Sequence, residues 1–292
     1  MTWTRRRFLR IAAVSTAAAA CSPRKLLNRP PLARVVFYTD VHARPGRTIS
    51  QALEAAAVAI GAQRADVVIA GGDMVGAGTG VALQDAQSMW ITYGSMLATI
   101  GGNVHHVFGE HDLVGPAQAV RRGADPRSLV RERLGRGRTY GSFDAADFHF
   151  VLLDSVEVAR DGAGYRGFID DEQLGWLAGD IGRIPSTQPV IVTTHVPLRT
   201  AEYAPGGGPP DRAIVNAQAV LDVLTRRRIV LVLQGHSHKA EAIQQAGVTF
   251  LSGGSICGHW SARERSGSAP GFVVASVTPE RVEWKYVAYE QV

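Results

Sequence analysis

Short apolar runs rich in β-branched residues alternate with longer segments of helical periodicity, and this alternation most constrains the fold of the chain. Strands that are apolar along their whole length are typical of sheets covered on both faces. Strands and helices in alternation indicate an α/β domain. The predicted strands are residues 35–39, 67–70, 104–108, 148–153, 190–193 and 229–233. The predicted helices are, approximately, residues 48–64, 81–100, 117–134, 171–183 and 212–226.

The pattern changes after residue 248, where strands and turns replace the helical segments. Residues 272–277 and 281–289 are predicted to pair as a hairpin. The sequence shows no internal repeat and no linker that would separate a second core. We therefore predict a leader and linker over residues 1–34 and a single α/β domain over residues 35–292.

Carboxylates and histidines follow the ends of five predicted strands. Ligands bind outside the carboxyl ends of strands in open α/β sheets, so these side chains are candidates for one shared site. Any single histidine could instead be structural, but that explanation would have to hold separately at every position. The pairs Asp40/His42 and His236/His238 point the same way if the backbone stays extended. The candidates are Asp40, His42, Asp73, Glu110, His195, His236 and His238, with His111 and Asp112 directly after Glu110.

The candidate residues offer oxygen and imidazole nitrogen but no thiolate. This donor set suits manganese, iron or zinc. Seven donors exceed the needs of one tetrahedral ion and indicate two ions that share a bridging carboxylate. We therefore predict two divalent metal ions as the cofactor, one of which could be ferric.

Five sequence blocks resemble the D-x-H, G-G-D, G-N-H-D, T-H-x-P and G-H-x-H motifs of the calcineurin-like metallophosphoesterase superfamily, in the same order. The resemblance implies a four-layer αββα sandwich of the metallophosphoesterase type, in which two mixed sheets are flanked by helices. The blocks are Asp40-Val41-His42, Gly71-Gly72-Asp73, Gly109-Glu110-His111-Asp112, Thr194-His195-Val196-Pro197 and Gly235-His236-Ser237-His238.

The resemblance also implies a role for each matching residue. Asp73 would bridge the two ions, and a hydroxide held between ions about 3.5–4 Å apart would attack phosphorus. His111 would contact the phosphate and protonate the leaving oxygen, with Asp112 orienting its ring; the alternative is that His111 only caps the turn. One ion would be held by Asp40, His42, Asp73 and His238, and the other by Asp73, Glu110, His195 and His236.

Glu110 departs from the family pattern, which has asparagine at this position. A glutamate adds one negative charge, which should strengthen metal retention, weaken attraction for an anionic phosphate and raise the pKa of a bridging water. A ferric ion would restore the positive surplus. We predict that Glu110 binds a metal and that the chain represents an exported G-E-H-D branch. The alternative is that Glu110 leaves the second site open and that one ion binds weakly.

The motifs do not distinguish a phosphodiester from a phosphomonoester substrate. The loop over residues 203–211 and the loop over residues 253–267 are candidates for specificity. His259 and Trp260 in the second loop are candidate substrate contacts, together with His111, although a packed surface loop would explain them equally well. Asp154, His105, His106 and His149 are predicted to have no catalytic role.

The first residues resemble an export signal. The segment TRRRFLR matches the twin-arginine pattern, and a short apolar stretch and small residues follow it. Ala18-Ala19-Ala20-Cys21 resembles a lipoprotein cleavage box, so Cys21 is a candidate for lipidation and membrane anchoring. The expected location is periplasmic, extracellular or membrane-anchored. Eight basic residues precede the first acidic one: Arg5, Arg6, Arg7, Arg10, Arg24, Lys25, Arg29 and Arg34.

Because this basic excess lies in the leader, the formal net charge of +5 does not indicate a nucleic-acid partner. The chain has 2 cysteines, Cys21 and Cys257, which excludes a disulfide framework. Two functions remain open. The first is hydrolysis of a small phosphoester at a two-metal site, and the second is a non-catalytic envelope protein that binds metal at a neutralised site.

Overall fold

Strands and helices alternate through most of the fold. The structure is a computed structural model and describes residues 32–76, 81–113, 122–123, 125–135, 137–162, 164–258 and 268–289. The strands are β1 (Ala33–Tyr38), β2 (Val67–Gly71), β3 (Val104–Val107), β4 (Gly141–Ala145), β5 (Phe148–Leu152), β6 (Val156–Val158), β7 (Tyr165–Gly167), β8 (Val190–Thr194), β9 (Ile229–Gln234), β10 (Ala240–Gln245), β11 (Val248–Gly253), β12 (Gly271–Val277) and β13 (Val282–Ala288). The α-helices are α1 (Arg47–Gly61), α2 (Leu83–Ile100), α3 (Ser128–Leu134), α4 (Asp171–Arg183) and α5 (Ala217–Leu224).

Two large sheets contain most of the strands. The 5-stranded sheet has the order β13-β12-β1-β2-β3, and the 6-stranded sheet has the order β10-β11-β9-β8-β5-β4. Strands β1, β2 and β3 are parallel, whereas β12 runs antiparallel to β1. In the second sheet β5, β8, β9 and β11 are parallel, and the edge strands β4 and β10 are antiparallel. Both sheets are therefore mixed. Strands β6 and β7 form a separate 2-stranded ribbon.

Alternate residues of β1 face two different cores. Val35 and Phe37 belong to a buried cluster that also contains Phe150 of the second sheet, so this core lies between the sheets. Val36 and Tyr38 belong to the cluster that contains the buried residues of the helices. This two-sided burial explains why the strand is apolar along its whole length. The order helix, sheet, sheet, helix confirms the predicted αββα sandwich.

The helices bury the stripes that their sequences predict. Helix α1 buries Leu53, Ala57 and Ile60, which recur at helical spacing along one face. Helix α4 begins after Asp170, whose side chain accepts a hydrogen bond from the backbone nitrogen of Gln173 at 2.8 Å. This N-cap satisfies one of the amides that the first helical turn leaves without a partner.

The predicted hairpin near the carboxyl end is present as β12 and β13, which pair antiparallel. Within the predicted helix 117–134, the described residues 122–123 and 125–127 are not helical and α3 begins at Ser128. The predicted helix 212–226 begins only at Ala217. That helix starts late because the backbone nitrogens of Arg212 and Ala213 are bonded to the carbonyl of Pro209 and that of Ile214 to the carbonyl of Pro197. Pattern reading did not predict β6 and β7, which are only three residues long.

Pro31–Val292 forms one compact unit. The predicted leader lies almost entirely outside the described residues, as do Cys21, His259 and Trp260. Among the helices that the structure describes, none combines the length and apolar character needed to cross a membrane.

Candidate metal centre

The carboxyl ends of β1, β2 and β3 in one sheet and of β8 and β9 in the other meet at one edge of the sandwich. Main-chain bonds join the segments that follow these strands. The nitrogen of Asp40 donates to the carbonyl of Gly72 at 3.0 Å, and that of Gly235 donates to the carbonyl of His195 at 3.0 Å. Across the two sheets, the nitrogen of His236 donates to Oδ2 of Asp40 at 3.0 Å. The two sheets therefore contribute to a single site.

The backbone is left-handed rather than extended at five of the seven candidate ligands. The φ angles are 54° at Asp40, 45° at His42, 52° at Asp73, 67° at His236 and 55° at His238. The extended backbone on which the period-2 prediction depends is therefore not present, because β1 and β9 end before these residues. Non-glycine residues in this region cost about 1–3 kcal/mol each and concentrate at functional sites. Among the described residues, five of the nine non-glycine residues with positive φ lie at this edge, which is consistent with a functional site.

The first group of donors contains Asp40, His42 and His238, together with Asp73. Oδ1 of Asp40 lies 3.0 Å from Nε2 of His238 and 3.9 Å from Nε2 of His42. The two imidazole Nε2 atoms are 3.2 Å apart. All four side chains are buried. Oδ2 of Asp73 lies 3.6 Å from Nε2 of His42, so two carboxylates and two imidazoles adjoin one another here.

The second group contains Glu110, His195 and His236, again with Asp73. Oε2 of Glu110 lies 3.1 Å from Nε2 of His195, and Oε1 lies 3.0 Å from Nδ1 of His236. Oδ2 of Asp73 lies 3.4 Å from Nε2 of His195 and 3.6 Å from Nε2 of His42. Asp73 therefore stands between the two groups, where a bridging carboxylate is predicted.

Several atoms at the centre are buried but have no hydrogen-bond partner. They are Oδ1 of Asp40, Oε2 of Glu110 and Nε2 of His195. A buried polar atom without a partner costs about 1–3 kcal/mol. These atoms also belong to groups of His, Asp and Glu whose donor atoms lie within 4.8 Å of one another. Bound cations would satisfy all three atoms, so the residues present fit a metal centre.

The outward-facing ring nitrogens of three histidines are held by partners outside the two groups. Nδ1 of His195 donates to the carbonyl of Gly71 at 2.8 Å, and Nε2 of His236 donates to the carbonyl of Asp211 at 2.7 Å. Nδ1 of His238 lies 3.6 Å from Sγ of Cys257. Such partners fix the ring tautomer, so that the other nitrogen can bind a metal.

The electrostatics of the centre favour bound cations. Burial alone would raise the pKa of Glu110, but His236 and His195 hold it well below its usual range. Burial likewise opposes a charged His195, yet the Asp73 and Glu110 carboxylates raise the pKa of His195 well above its usual value. Burial is the largest influence on the pKa of Asp40, but His238, His195 and His42 together lower it. The carboxylates are therefore ionised beside the imidazoles, and bound cations would replace the imidazolium protons as their positive partners.

Two glycines allow the segments to approach this closely. A Cβ at Gly109 would overlap the carboxylate of Asp73 and lie 2.6 Å from Nε2 of His195. A Cβ at Gly72 would lie 2.5 Å from Nδ1 of His195, and the φ of Gly72 is 98°. Both positions therefore require glycine for steric reasons.

His111 lies at the mouth of the centre. Its ring packs edge-on against the ring of His42, with 4.7 Å between the centroids. Its backbone nitrogen donates to Oδ1 of Asp73 at 2.9 Å, and its Nδ1 has no hydrogen-bond partner. The side chain is therefore next to both donor groups and its Nδ1 is not engaged by a neighbouring side chain.

Asp112 does not orient the ring of His111, contrary to the expectation from the family pattern. Its Oδ1 accepts bonds from the nitrogens of Met74 and Val75 at 2.8 and 3.1 Å, and its Oδ2 accepts one from the nitrogen of Gly109 at 2.9 Å. The carboxylate turns to these amides because it is fully buried between the two loops. Burial and the nearby Asp73 charge raise the pKa of Asp112 to about 8. Asp112 joins the Asp73 loop to the Glu110 loop.

Polar residues that were predicted to have no catalytic role make structural contacts. Asp154 accepts bonds from Nε of Arg127 and from the hydroxyl of Thr139, both at 2.7 Å. His149 lies between two carboxylates on neighbouring elements. His106 bonds to the hydroxyl of Tyr93 at 3.0 Å.

Sequence reasoning missed three groups around the centre. They are the hydroxyl of Tyr165, which donates to Oε1 of Glu110 at 3.0 Å, the carbonyl of Asp211 and the thiol of Cys257. None lies in a recognisable motif. Asp211 and Cys257 lie in the two predicted specificity loops, 203–211 and 253–267, whereas no sequence signal pointed to Tyr165.

A cavity of about 610 Å³ opens beside His236. The predicted specificity loop 203–211 forms part of its wall. The charged lining residues are Glu202, Asp211, Arg212, Lys239 and Glu241. This cavity is the space into which a substrate bound at the centre would extend. The other predicted contacts, His259 and Trp260, lie outside the described residues.

A family model described as calcineurin-like phosphoesterase matches residues 33–240. No curated protein matches the chain. Among solved structures, the chain is similar to a dimetal phosphatase from Danio rerio, with a TM-score of 0.65, 18% identity, and coverage of 90% of this chain and 98% of that chain. It is also similar to PhoD, with a TM-score of 0.59, 14% identity, and coverage of 88% and 66%. A third similar structure is a phosphopantetheinyl hydrolase from Mycobacterium tuberculosis, with a TM-score of 0.50, 12% identity, and coverage of 82% and 95%. At these identities the likeness concerns the fold.

Proposed function

Because the chain belongs to the calcineurin-like phosphoesterase family, we propose that it hydrolyses a small phosphodiester or phosphomonoester at a two-metal centre. The observation that carries this proposal is the convergence of carboxylates and imidazoles from five strand ends around buried atoms without hydrogen-bond partners. A purely structural role would leave these atoms only their ion-pair contacts with neighbouring side chains, whereas cations would satisfy them as ligands.

The donors divide between two ions. Asp73 is the proposed bridge. Two divalent ions supply Lewis acidity, which lowers the pKa of coordinated water and neutralises charge on the phosphoryl group. The mixed imidazole and carboxylate set suits manganese, iron or zinc. In an alternative form of the proposal, one of the two ions is ferric. The proposed ligands are Asp40, His42, Asp73 and His238 for the first ion, and Asp73, Glu110, His195 and His236 for the second.

His111 is the proposed general acid. Its ring lies against His42 at the mouth of the centre, and its main chain is held by Asp73. From this position the imidazole can contact a phosphate and give a proton to the leaving oxygen. Asp112 supports this role through the backbone, since it fixes the loop that carries His111 rather than the ring.

Glu110 changes the net charge of the proposed metal centre. It adds a negative charge where the family pattern has a neutral amide, and it lies against His195 and His236. We expect it to strengthen metal retention and to weaken attraction for highly charged substrates. A phosphodiester carries one negative charge fewer than a fully ionised phosphomonoester, so this charge balance favours the diester.

The location of the protein follows from its leader. We propose export by the twin-arginine route, as in the expected G-E-H-D branch, with lipidation of Cys21 as the means of any membrane anchoring. The test is the protein's fraction after cell fractionation, compared between the native leader and an Arg5→Lys, Arg6→Lys variant. Retention of the variant in the cytoplasm supports the proposal, and unchanged export of the variant contradicts it.

Hydrolysis is tested with bis-p-nitrophenyl phosphate and p-nitrophenyl phosphate in the presence of Mn²⁺. His111→Ala should lower the turnover number by roughly 10²–10⁴-fold, the range for loss of a general acid, with the metal content unchanged. His105→Ala is the matched control, because its ring stacks on Phe143 at a distance from the donors. The ratio of diester to monoester hydrolysis narrows the substrate class. Inactivity with Mn²⁺, Fe²⁺ and Zn²⁺ would favour the non-catalytic metal-binding protein.

A further inference from the structure

The hydroxyl of Tyr165 donates a hydrogen bond to Oε1 of Glu110 at 3.0 Å. Tyr165 lies on β7, in the ribbon outside both large sheets, 55 residues along the chain from Glu110. We propose that Tyr165 is a positioning residue that holds the Glu110 carboxylate in the orientation required by the second ion. This inference rests on the proposed two-metal centre, and it assigns to Tyr165 a role outside the five motif blocks.

The bond from Tyr165 distinguishes the two oxygens of Glu110. Oε1 is held by the hydroxyl of Tyr165 and faces Nδ1 of His236 at 3.0 Å. Oε2 has no hydrogen-bond partner and lies 3.1 Å from Nε2 of His195. The oxygen without a partner is therefore the one available to a cation. Without the hydroxyl, the Oε1 side of the carboxylate would be held by Nδ1 of His236 alone, and the group could rotate away from the orientation that presents Oε2 to a cation.

A glutamate needs such a support more than an asparagine does. Its side chain has one more rotatable bond, so that ordering it costs more conformational entropy. It also carries a charge in a buried place, where hydrogen bonds to a charged group are stronger than those between neutral groups. Tyr165 supplies both the restraint and the donor. The hydroxyl thus compensates for the replacement of the usual asparagine.

Tyr165 is itself held by the wall of the neighbouring cavity. Its hydroxyl is 3.3 Å from the carbonyl of Asp211, the same carbonyl that accepts a bond from Nε2 of His236. Two residues further along β7, the nitrogen of Gly167 donates to the carbonyl of Pro210 at 2.6 Å. The ribbon, the specificity loop and two ligands of the second ion therefore form one hydrogen-bonded unit.

The test is calorimetric titration of the chelator-stripped full chain with Mn²⁺. Wild-type protein should bind two ions. Tyr165→Phe keeps the ring and removes the hydroxyl, and it should weaken the second ion about tenfold, as loss of a partner of a metal ligand typically does, while the first ion is unchanged. Tyr140→Phe is the matched control, because Tyr140 donates to a carboxylate of Glu172 at 3.2 Å elsewhere on the surface.

A double-mutant cycle shows whether Tyr165 acts through Glu110. In the Glu110→Asn background, Tyr165→Phe should cause no further loss of Mn²⁺ affinity. The same tenfold loss in that background would overturn the inference. Equal affinities of wild type and Tyr165→Phe for the second Mn²⁺ would also overturn it, as would a wild-type chain that binds a single ion. A visible charge-transfer band after Fe³⁺ is added, absent in Tyr165→Phe, would also overturn it, because the phenol would then be a ligand. Two bound Mn²⁺ without ester hydrolysis would remove the proposed function and leave the inference intact.

Discussion

Oε2 of Glu110 and Nε2 of His195 lie 3.1 Å apart, yet neither atom has a hydrogen-bond partner. The two groups are close enough to interact as charges, and Asp73 and Glu110 raise the pKa of the fully buried His195 well above its usual value. A cation bound at these two atoms would replace the imidazolium as the charge partner of Glu110.

Replacement of Glu110 tests this relationship directly. Glu110→Gln keeps the shape of the side chain and removes its charge, so the second ion should be lost about ten to a hundred times more readily, in line with the sensitivity of metal sites to their surroundings. Metal content per chain after dialysis, by mass spectrometry, measures the effect. Glu172→Gln, at the start of α4, is the control. Equal metal content in the two variants would exclude Glu110 as a ligand.

Asp112→Asn should destabilise the fold. The carboxylate of Asp112 is fully buried and accepts bonds from three backbone amides on two loops. An amide group in its place would turn an NH₂ towards one of these donors, which should cost about 1–3 kcal/mol of the free energy of unfolding. Urea denaturation of the metal-free chain measures this change. A stable variant whose pH profile of turnover is shifted would instead support the orienting role for His111.

Cys257→Ala should weaken the first ion and leave the second unchanged. Nε2 of His238 is directed at Asp40, and Nδ1 lies 3.6 Å from the sulfur of Cys257. In the tautomer that leaves Nε2 free for a metal, Nδ1 carries the proton and faces the sulfur. Loss of such a partner typically lowers metal affinity about 10–100-fold. Mn²⁺ titration resolves the two ions. Cys257→Ser retains a hydroxyl acceptor and should recover much of the affinity, whereas an equal loss in both variants would point to packing instead.

Removal of metal should lower the thermal stability of the whole chain. One site at a free Mn²⁺ concentration of 100 Kd contributes about 2.7 kcal/mol. For a protein of this size the melting temperature changes by roughly 2–4 °C per kcal/mol, so the expected rise on adding Mn²⁺ is about 5–10 °C. Calorimetric melts with Mn²⁺ and with a chelator measure it. Asp73→Asn should respond much less, since Asp73 belongs to both groups, and an unresponsive wild-type chain would contradict the metal centre.

The layers of the fold and the convergence of the metal donors could be predicted from the sequence, because both depend on local sequence patterns. Fully apolar strands indicate two covered faces, and parallel strands bring their carboxyl ends to one edge. The sequence alone therefore predicts that Asp40, Asp73 and His195 lie close together. It does not predict the left-handed backbone at Asp40, His42, His236 and His238, since period-2 spacing assumes a strand that continues through the motif.

The surrounding partners were not accessible, because they depend on tertiary placement. Tyr165 approaches Glu110 only because the short ribbon packs against the 209–215 segment, and nothing in the local sequence of β7 indicates this. Asp211 contributes a backbone carbonyl, which has no sequence signature. Asp112 lies in a motif, yet its contacts depend on how closely two loops approach each other.

The left-handed φ angles at Asp40, His42, Asp73, His236 and His238 lower the stability of the fold at positions whose side chains supply the metal donors. Glycine at any of these positions would relax the backbone but remove a donor. Selection for stability alone would therefore favour glycine at these positions first. A descendant that has lost catalysis should carry glycines in place of these five residues.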